Sequence, residues 1–142
     1  MSGADFLDTN VFVYAYQFND RNKQKIAHEL VEAAVAGKFV ISVQVLSEFT
    51  STLLHKASPV ATPDAVTDIL DKLSPIRLVV SDHEIVRRAV EARAAYGIHF
   101  YDGMIVAAAE RAGCKRILSE DFNAGQEYFG VTVANPFADL DR

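Results

Sequence analysis

The chain has 142 residues, half of them hydrophobic and 23% charged, with a formal net charge of −5 at pH 7. That length suits one domain, spanning residues 1–142, with a substantial buried core, and that composition excludes a disordered chain. The acidic balance taken alone argues against a sequence-blind electrostatic grip on nucleic acid.

No repeat, low-complexity tract or Pro/Gly/Ser-rich linker divides the sequence. Phe6 to Asp8 reads as a short strand entering a helix from about Asn10 to Tyr16. Asn19 or Asp20 caps a second helix, about Arg21 to Ala36, where Ile26, Leu30 and Ala33 or Ala34 recur at helical spacing and Gly37 supplies the stop. Phe39 to Ile41 is a buried strand, and Ser42 caps a long helix reaching about Lys56. Thr62-Pro63 opens the next helix with Val66, Ile69, Leu70 and Leu73 on one face, an outer clip on the core. Ile76 to Val80 is a third strand. Ser81 and Glu84 then form a capping-box signature for a helix to about Tyr96.

Another helix covers about Tyr101 to Ala112 and closes at Gly113. Arg116 to Leu118 is a fourth strand and Val131 to Val133 a short fifth. The only cysteine, Cys114, excludes an internal disulfide and reads as a small buried hydrophobe at a strand start. No stretch is apolar for long enough to cross a bilayer and no basic leader precedes the first strand, so a cytoplasmic protein without a membrane partner is expected. Short apolar strands between amphipathic helices predict an α/β fold with a mostly parallel sheet.

In such a sheet ligands bind beyond the carboxyl ends of the strands. Asp8 closes the first strand and Asp121 follows the fourth, so both point to that rim. Asp102 starts an almost uncharged helix, and Glu48 borders the apolar stripe of Leu46, Phe49, Leu53 and Leu54. Each acid alone reads as a cap, a turn residue or a solvated helical side chain. In combination they raise a question of energy, because two unit charges about 4 Å apart cost on the order of 4 kcal/mol at an effective dielectric near 20.

No Lys or Arg lies within four residues of any of these acids in the sequence, which leaves hard cations as the neutralising agent. All-oxygen ligation selects Mg²⁺ or Mn²⁺. Two such ions about 4 Å apart would flank a phosphodiester, activating a water on one side and stabilising the leaving oxygen on the other. They would also bring the formal charge from −5 to about −1, so the metals become the positive patch. The basic residues Arg21, Lys23, Lys25, Arg87, Arg88, Arg93, Lys115 and Arg116 read mainly as solvated faces balancing Glu and Asp.

With these residues set out, the sequence resembles the PIN domain family, and within it the VapC-like ribonuclease toxins of toxin–antitoxin pairs. The matching pieces are FLDTNVFVYAY, ISVQVLSEFTSTL, GIHFYDGMIVAAAERAGC and ILSEDFNAGQ, which span the chain nearly end to end in order. The resemblance implies a three-layer fold, a central mostly parallel sheet of four or five short strands with helices on both faces. It also implies an acidic pocket and metal-dependent endonuclease activity on RNA.

Residue by residue, the family's acids fall on Asp8, Glu48, Asp102 and Asp121 as catalytic metal ligands, with Asp8 and Asp102 the main ones. Its polar residue after the first acid falls on Asn10, and its small hydroxyl on Ser119. Glu120 adds a carboxylate beside Asp121, and which of the two enters the inner shell stays open. Gly103 stands where many relatives have Ala, a departure expected to loosen the helix start while leaving the acid in place. The implied partners are RNA, a small antitoxin protein whose Arg can lie against the acids, and a second copy of the chain in a homodimer. The helix Pro63 to Leu73 is one candidate contact surface.

Two other readings compete. A receiver or phosphoryl-transfer domain would use Asp8 as nucleophile, but it needs a second acid close to the first and a partnering Lys, whereas Asp5 lies inside the strand and Lys115 precedes one. A catalytically silent binding module would keep the pocket for a partner's basic side chain. His28, His55, His83 and His99 show no metal-ligand spacing, so zinc chemistry is not expected. His99 and Tyr101 flank Asp102, with orienting or packing roles ahead of RNA contact, and Phe122 is expected to pack beneath the site.

Overall fold

The strands are too short and too apolar to stand alone, and together they build one sheet. The computed structural model describes residues 4–17, 19–55 and 61–141. The strands are β1 (Asp5–Leu7), β2 (Phe39–Ser42), β3 (Arg77–Val79), β4 (Arg116–Leu118), β5 (Glu127–Tyr128) and β6 (Val131–Ala134). Among the described residues there are six α-helices: α1 (Thr9–Ala15), α2 (Arg21–Val35), α3 (Val43–His55), α4 (Pro63–Leu73), α5 (His83–Tyr96) and α6 (Phe100–Arg111). None is long and apolar enough to cross a membrane.

The sheet order is β3-β2-β1-β4-β6-β5, parallel except for the β5–β6 hairpin. The chain winds outward from β1 through β2 to β3 and then returns to place β4 on the other side of β1. The crevice between the ends of β1 and β4 is therefore the topological switch point, where an open α/β sheet binds ligands. Helices cover both faces, as the three-layer reading requires. Phe6, Leu7, Val40, Ile41 and Ile117 form the sheet's buried centre, packed against Val11, Phe12, Phe49, Ile105 and Val106 from the helices.

Local chemistry explains most boundaries. Asp20, not Asn19, caps α2 by accepting from Lys23 N. Ser42 ends β2 and caps α3 with its hydroxyl 3.3 Å from Val45 N. Thr62 and Pro63 open α4 as expected, with Val66 and Leu73 buried. At α5 the capping-box expectation is corrected: Asp82 is the cap, accepting from Ile85 N at 3.0 Å, because a carboxylate one residue closer to the helix replaces Ser81. Lys56, where α3 was expected to end, lies outside the described residues.

The sheet has six strands instead of four or five. The addition is two-residue β5, turned back onto β6 through Phe129 (φ 51°) and Gly130 (φ 83°). Left-handed backbone is unusual for a phenylalanine. Here the amide of Phe129 donates to the Tyr96 hydroxyl at 2.8 Å, and the Arg88 guanidinium lies 3.6 Å from its ring centroid.

Gly103 on α6 sits against the backbone of Ala89 on α5. A Cβ there would come 2.7 Å from the carbonyl oxygen of Ala89. The glycine thus permits helix contact, and the loosening expected from sequence gives way to a packing role. Alanine is ordinarily favoured over glycine in a helix by about 1 kcal/mol. Gly103→Ala is nevertheless expected to destabilise by about 1–3 kcal/mol, since the obstructing atom is backbone. An unchanged denaturation midpoint would rule out the close approach.

Candidate active site

Asp8 lies at the switch point for a backbone reason: its N–H donates to Leu118 O at 3.1 Å, one step beyond the β1–β4 ladder. This step fixes Asp8 beside Ser119. Asp8 caps α1, with Oδ1 accepting from Thr9 N at 2.8 Å, while Oδ2 accepts from the Ser119 hydroxyl at 2.8 Å. Ser119, fully buried, accepts in turn from Asn10 Nδ2 at 3.0 Å and from the Asp121 amide at 3.1 Å. Asn10 completes the frame by donating to Asp121 Oδ2 at 3.2 Å and accepting from Glu120 N at 3.2 Å. Ser119 and Asn10 thereby couple the first acid to the last across more than a hundred residues.

Glu120 points elsewhere. Its carboxylate pairs with Lys23 Nζ at 2.6 Å and accepts from the Tyr14 hydroxyl at 2.6 Å. Burial pushes its pKa up, but the bonds to Lys23 and Tyr14 outweigh that and hold it below the usual carboxylate range. Lys23, read from sequence as part of a solvated face, is instead, among the described residues, a basic side chain that reaches this cluster. Asp121 is left exposed beside Asn10.

The other two acids come from helices. Glu48 projects from α3, which starts directly at the end of β2. Gln44, one turn earlier, donates to Glu48 Oε1 at 2.8 Å and to the carbonyl of Tyr101 at 3.0 Å, tying α3 to the start of α6. Asp102 lies in the first turn of α6, behind His99, whose Nδ1 accepts from Tyr101 N at 3.3 Å. Glu48 borders two adjoining clefts. One, of about 610 Å³, is shared with Gln44, Ser47, His99, Tyr101 and Asp102. The other, of about 360 Å³, is lined by Thr9, Asn10, Glu120 and Asp121 among others.

Electrostatics links the four in pairs, Asp8 with Asp121 and Glu48, and Asp102 with Asp121. Asp8 is 6% exposed, and burial raises its pKa to about 6 against the opposing bonds from Ser119 and Thr9, with the charges of Asp121 and Glu48 adding to the rise. Asp102 is also raised, first by burial and further by Asp121, with His99 opposing. Phe122 packs under this rim against Tyr128, ring centroids 5.7 Å apart. Burial likewise pushes the thiol of Cys114 up to about 11 at the entry to β4, as suits an inert core residue.

A hard divalent cation fits this donor set, which is all oxygen and short of positive charge. Among the described residues no three acidic, histidine or cysteine side chains stand close enough together to hold an ion between them. Mg²⁺ does not require such a cage, since it is commonly held by one or two carboxylates with water and substrate phosphates. The buried hydroxyl of Thr9, next to Asp8, has no hydrogen-bond partner among the described residues. The second acid that a receiver-type site would need is committed elsewhere: Asp5 is ion-paired with Arg116 at 2.6 Å, at the opposite end of β1.

Sequence reasoning missed Gln44, Tyr14 and the Lys23 contact. Gln44 was readable as the i, i+4 neighbour of Glu48 on one helix face. The Tyr14–Glu120–Lys23 contact has no local signal, because it joins α1, α2 and the loop after β4.

A sequence model of the PIN domain family matches residues 6–126. Among solved structures the chain is similar to a toxin–antitoxin complex from Klebsiella pneumoniae, 19% identical over 94% of this chain and 98% of that one, with a TM-score of 0.69. It is also similar to a DNA-bound VapBC from Salmonella typhimurium, 17% identical over 96% and 99%, TM-score 0.70. VapC20 from Mycobacterium tuberculosis, a sarcin–ricin loop cleaving toxin, is 19% identical over 91% and 99%, TM-score 0.67. No curated protein matches significantly.

Proposed function

We propose, from the premise that the chain belongs to the PIN domain family, that it is a divalent-metal-dependent endoribonuclease, the toxin of a type II toxin–antitoxin pair. The observation that carries this reading is the meeting of Asp8 and Asp121 at the β1–β4 switch point, joined by Ser119 and Asn10, with the charge of Glu48 felt at Asp8 and that of Asp121 at Asp102. Mg²⁺ or Mn²⁺ would be held by Asp8, Asp102, Asp121 and Glu48. When bound, the ion supplies charge neutralisation, polarisation of a phosphoryl oxygen and acidification of a water.

The chain's own residues do the rest. Asp8, fixed by its amide, by Thr9 and by Ser119, presents a carboxylate that needs no reorganisation. Asn10 holds Asp121 at a constant distance from it. Gln44 holds Glu48 against the start of α6 and so keeps Asp102 on the same cleft. Glu120, neutralised by Lys23, supports the loop that carries Asp121 and is not itself a ligand. The reaction class proposed for an acid-lined site that would hold a divalent ion is hydrolysis of the phosphodiester by water. The test is cleavage of total RNA with Mg²⁺ or Mn²⁺, its loss on chelation, and its dependence on Asp8 and Asp102.

The structural relatives are toxin–antitoxin assemblies, which supports an antitoxin partner for this chain. An antitoxin Arg would suit the acidic cleft, since a guanidinium can take over the charge of an ion and bond a carboxylate through two N–H groups. A homodimer, a cytoplasmic location and action of residues 1–142 as one unit belong to the same proposal. α4, on the outside of α3, is a candidate antitoxin or dimer surface. Alanine substitutions at its exposed positions are expected to weaken assembly, measured by co-purification and sedimentation, and unchanged assembly would exclude it.

A further inference from the structure

We propose that the ring of Tyr101, backed by His99, is a stacking face for one base of single-stranded RNA beside the scissile phosphate. The proposal deepens the nuclease reading and rests on it for the class of substrate.

Tyr101 is 57% exposed, although it is the second residue of a helix whose remainder is largely core. Packing therefore does not account for the ring, and neither does capping, because His99 serves as the cap. The ring lies nearly parallel to that of His99, with centroids 5.8 Å apart and planes 24° apart, and Phe100 meets it edge-on at 5.2 Å. Its backbone is held from both sides, the N–H by His99 Nδ1 and the carbonyl by Gln44. A large aromatic surface held by a fixed backbone can bind with little loss of conformational freedom.

Position supplies the ligand. Tyr101 lines the same cleft as Glu48 and Asp102, and at about 610 Å³ this cleft is large enough for a nucleotide. Among the described residues its lining includes no Lys or Arg. Ions on the carboxylates can hold a phosphate, but the rest of the nucleotide has no cationic grip there and must be held through its base. Aromatic stacking does this for any base, because every base has a π-face. A base in a duplex presents no free face, so the site selects unpaired RNA. A hydrophobic protein segment is the poorer fit, since the neighbours Gln44, Ser47, Glu48 and Asp102 are polar.

The experiment compares wild type, Tyr101→Ala and Tyr101→Trp. Binding is followed with single-stranded oligoribonucleotides carrying 2-aminopurine at successive positions, in Ca²⁺ as a hard cation of the same charge. Wild type and Tyr101→Trp are expected to quench the probe at one position. Tyr101→Ala should lose that quench, bind about 10-fold more weakly and keep the wild-type melting temperature.

In Mg²⁺, Tyr101→Ala should raise KM about 10-fold with kcat within about 2-fold, and this penalty should vanish on RNA lacking the base at that position. A quench that survives in Tyr101→Ala, or a penalty equal at every abasic position, overturns the proposal. Quenching by wild type without any cleavage would instead overturn the nuclease reading and leave the stacking face standing.

Discussion

Asp8→Asn and Asp102→Asn are each expected to lower RNA cleavage in Mg²⁺ or Mn²⁺ by about 100-fold or more, equivalent to about 3 kcal/mol of lost transition-state stabilisation. Asparagine keeps the size of the side chain and caps a helix as well as aspartate does, so Asp8→Asn retains the start of α1. Asp102 is exposed in the first turn of α6 and tolerates the change without repacking. What each variant loses is one negative charge from the set of acids proposed to hold the cation. The same measurement separates the neighbouring acids. Asp121→Asn is expected to cost far more than Glu120→Gln, because Glu120 is already neutralised by Lys23 and turned toward Tyr14. Asp68→Asn, on the exposed surface of α4, is the control expected to cleave like wild type. If Asp8→Asn and Asp102→Asn both cleave as fast as wild type, the metal-dependent mechanism fails.

The parallel sheet and the positions of its acids could be read from sequence because local rules and global topology agree there. Apolar runs such as Phe39-Val40-Ile41 and Ile117-Leu118 are buried inside a covered sheet. Asp8 and Asp121, each just past such a run, then had to share a rim once β1 and β4 proved adjacent. Strand order itself carries no local signal, and the two-residue β5 is too short to have a period.

The same limit applies within the site. Glu120 and Asp121 are chemically alike and adjacent, and the approach of Lys23, 97 residues away in sequence, and of Tyr14 gives Glu120 surroundings that Asp121 lacks. Gly103 looked like a weak helix start because propensity counts backbone freedom, whereas its neighbour is the backbone of another helix.

Without added divalent ions, Asp8→Asn is expected to be more stable than wild type at pH 7.5, and the advantage should shrink as pH falls toward 4. The folded pKa of Asp8, about 6, lies above its unfolded value of 3.8. The folded state therefore holds this proton more tightly than the unfolded chain does. Stability from this group is fully present below pH 4 and is lost as pH rises through 6. The difference corresponds to about 3 kcal/mol at neutral pH.

Asparagine cannot ionise and escapes that loss, but its amide group meets a Ser119 hydroxyl already accepting from Asn10 and Asp121. Part of the gain is offset there, which leaves about 1–3 kcal/mol and a rise in melting temperature of roughly 3–10 °C at pH 7.5. Mg²⁺ should reverse the order, raising the melting temperature of wild type well above its ion-free value and that of Asp8→Asn much less, since stabilisation by a ligand follows its affinity for the folded state. Thermal unfolding of both proteins between pH 4 and 8, with and without Mg²⁺, measures the pH and ion effects together. A wild type more stable than Asp8→Asn at pH 7.5 in chelator would mean that the Ser119 and Thr9 bonds outweigh the cost of burying the charge, and that the carboxylate is not held in wait for a cation.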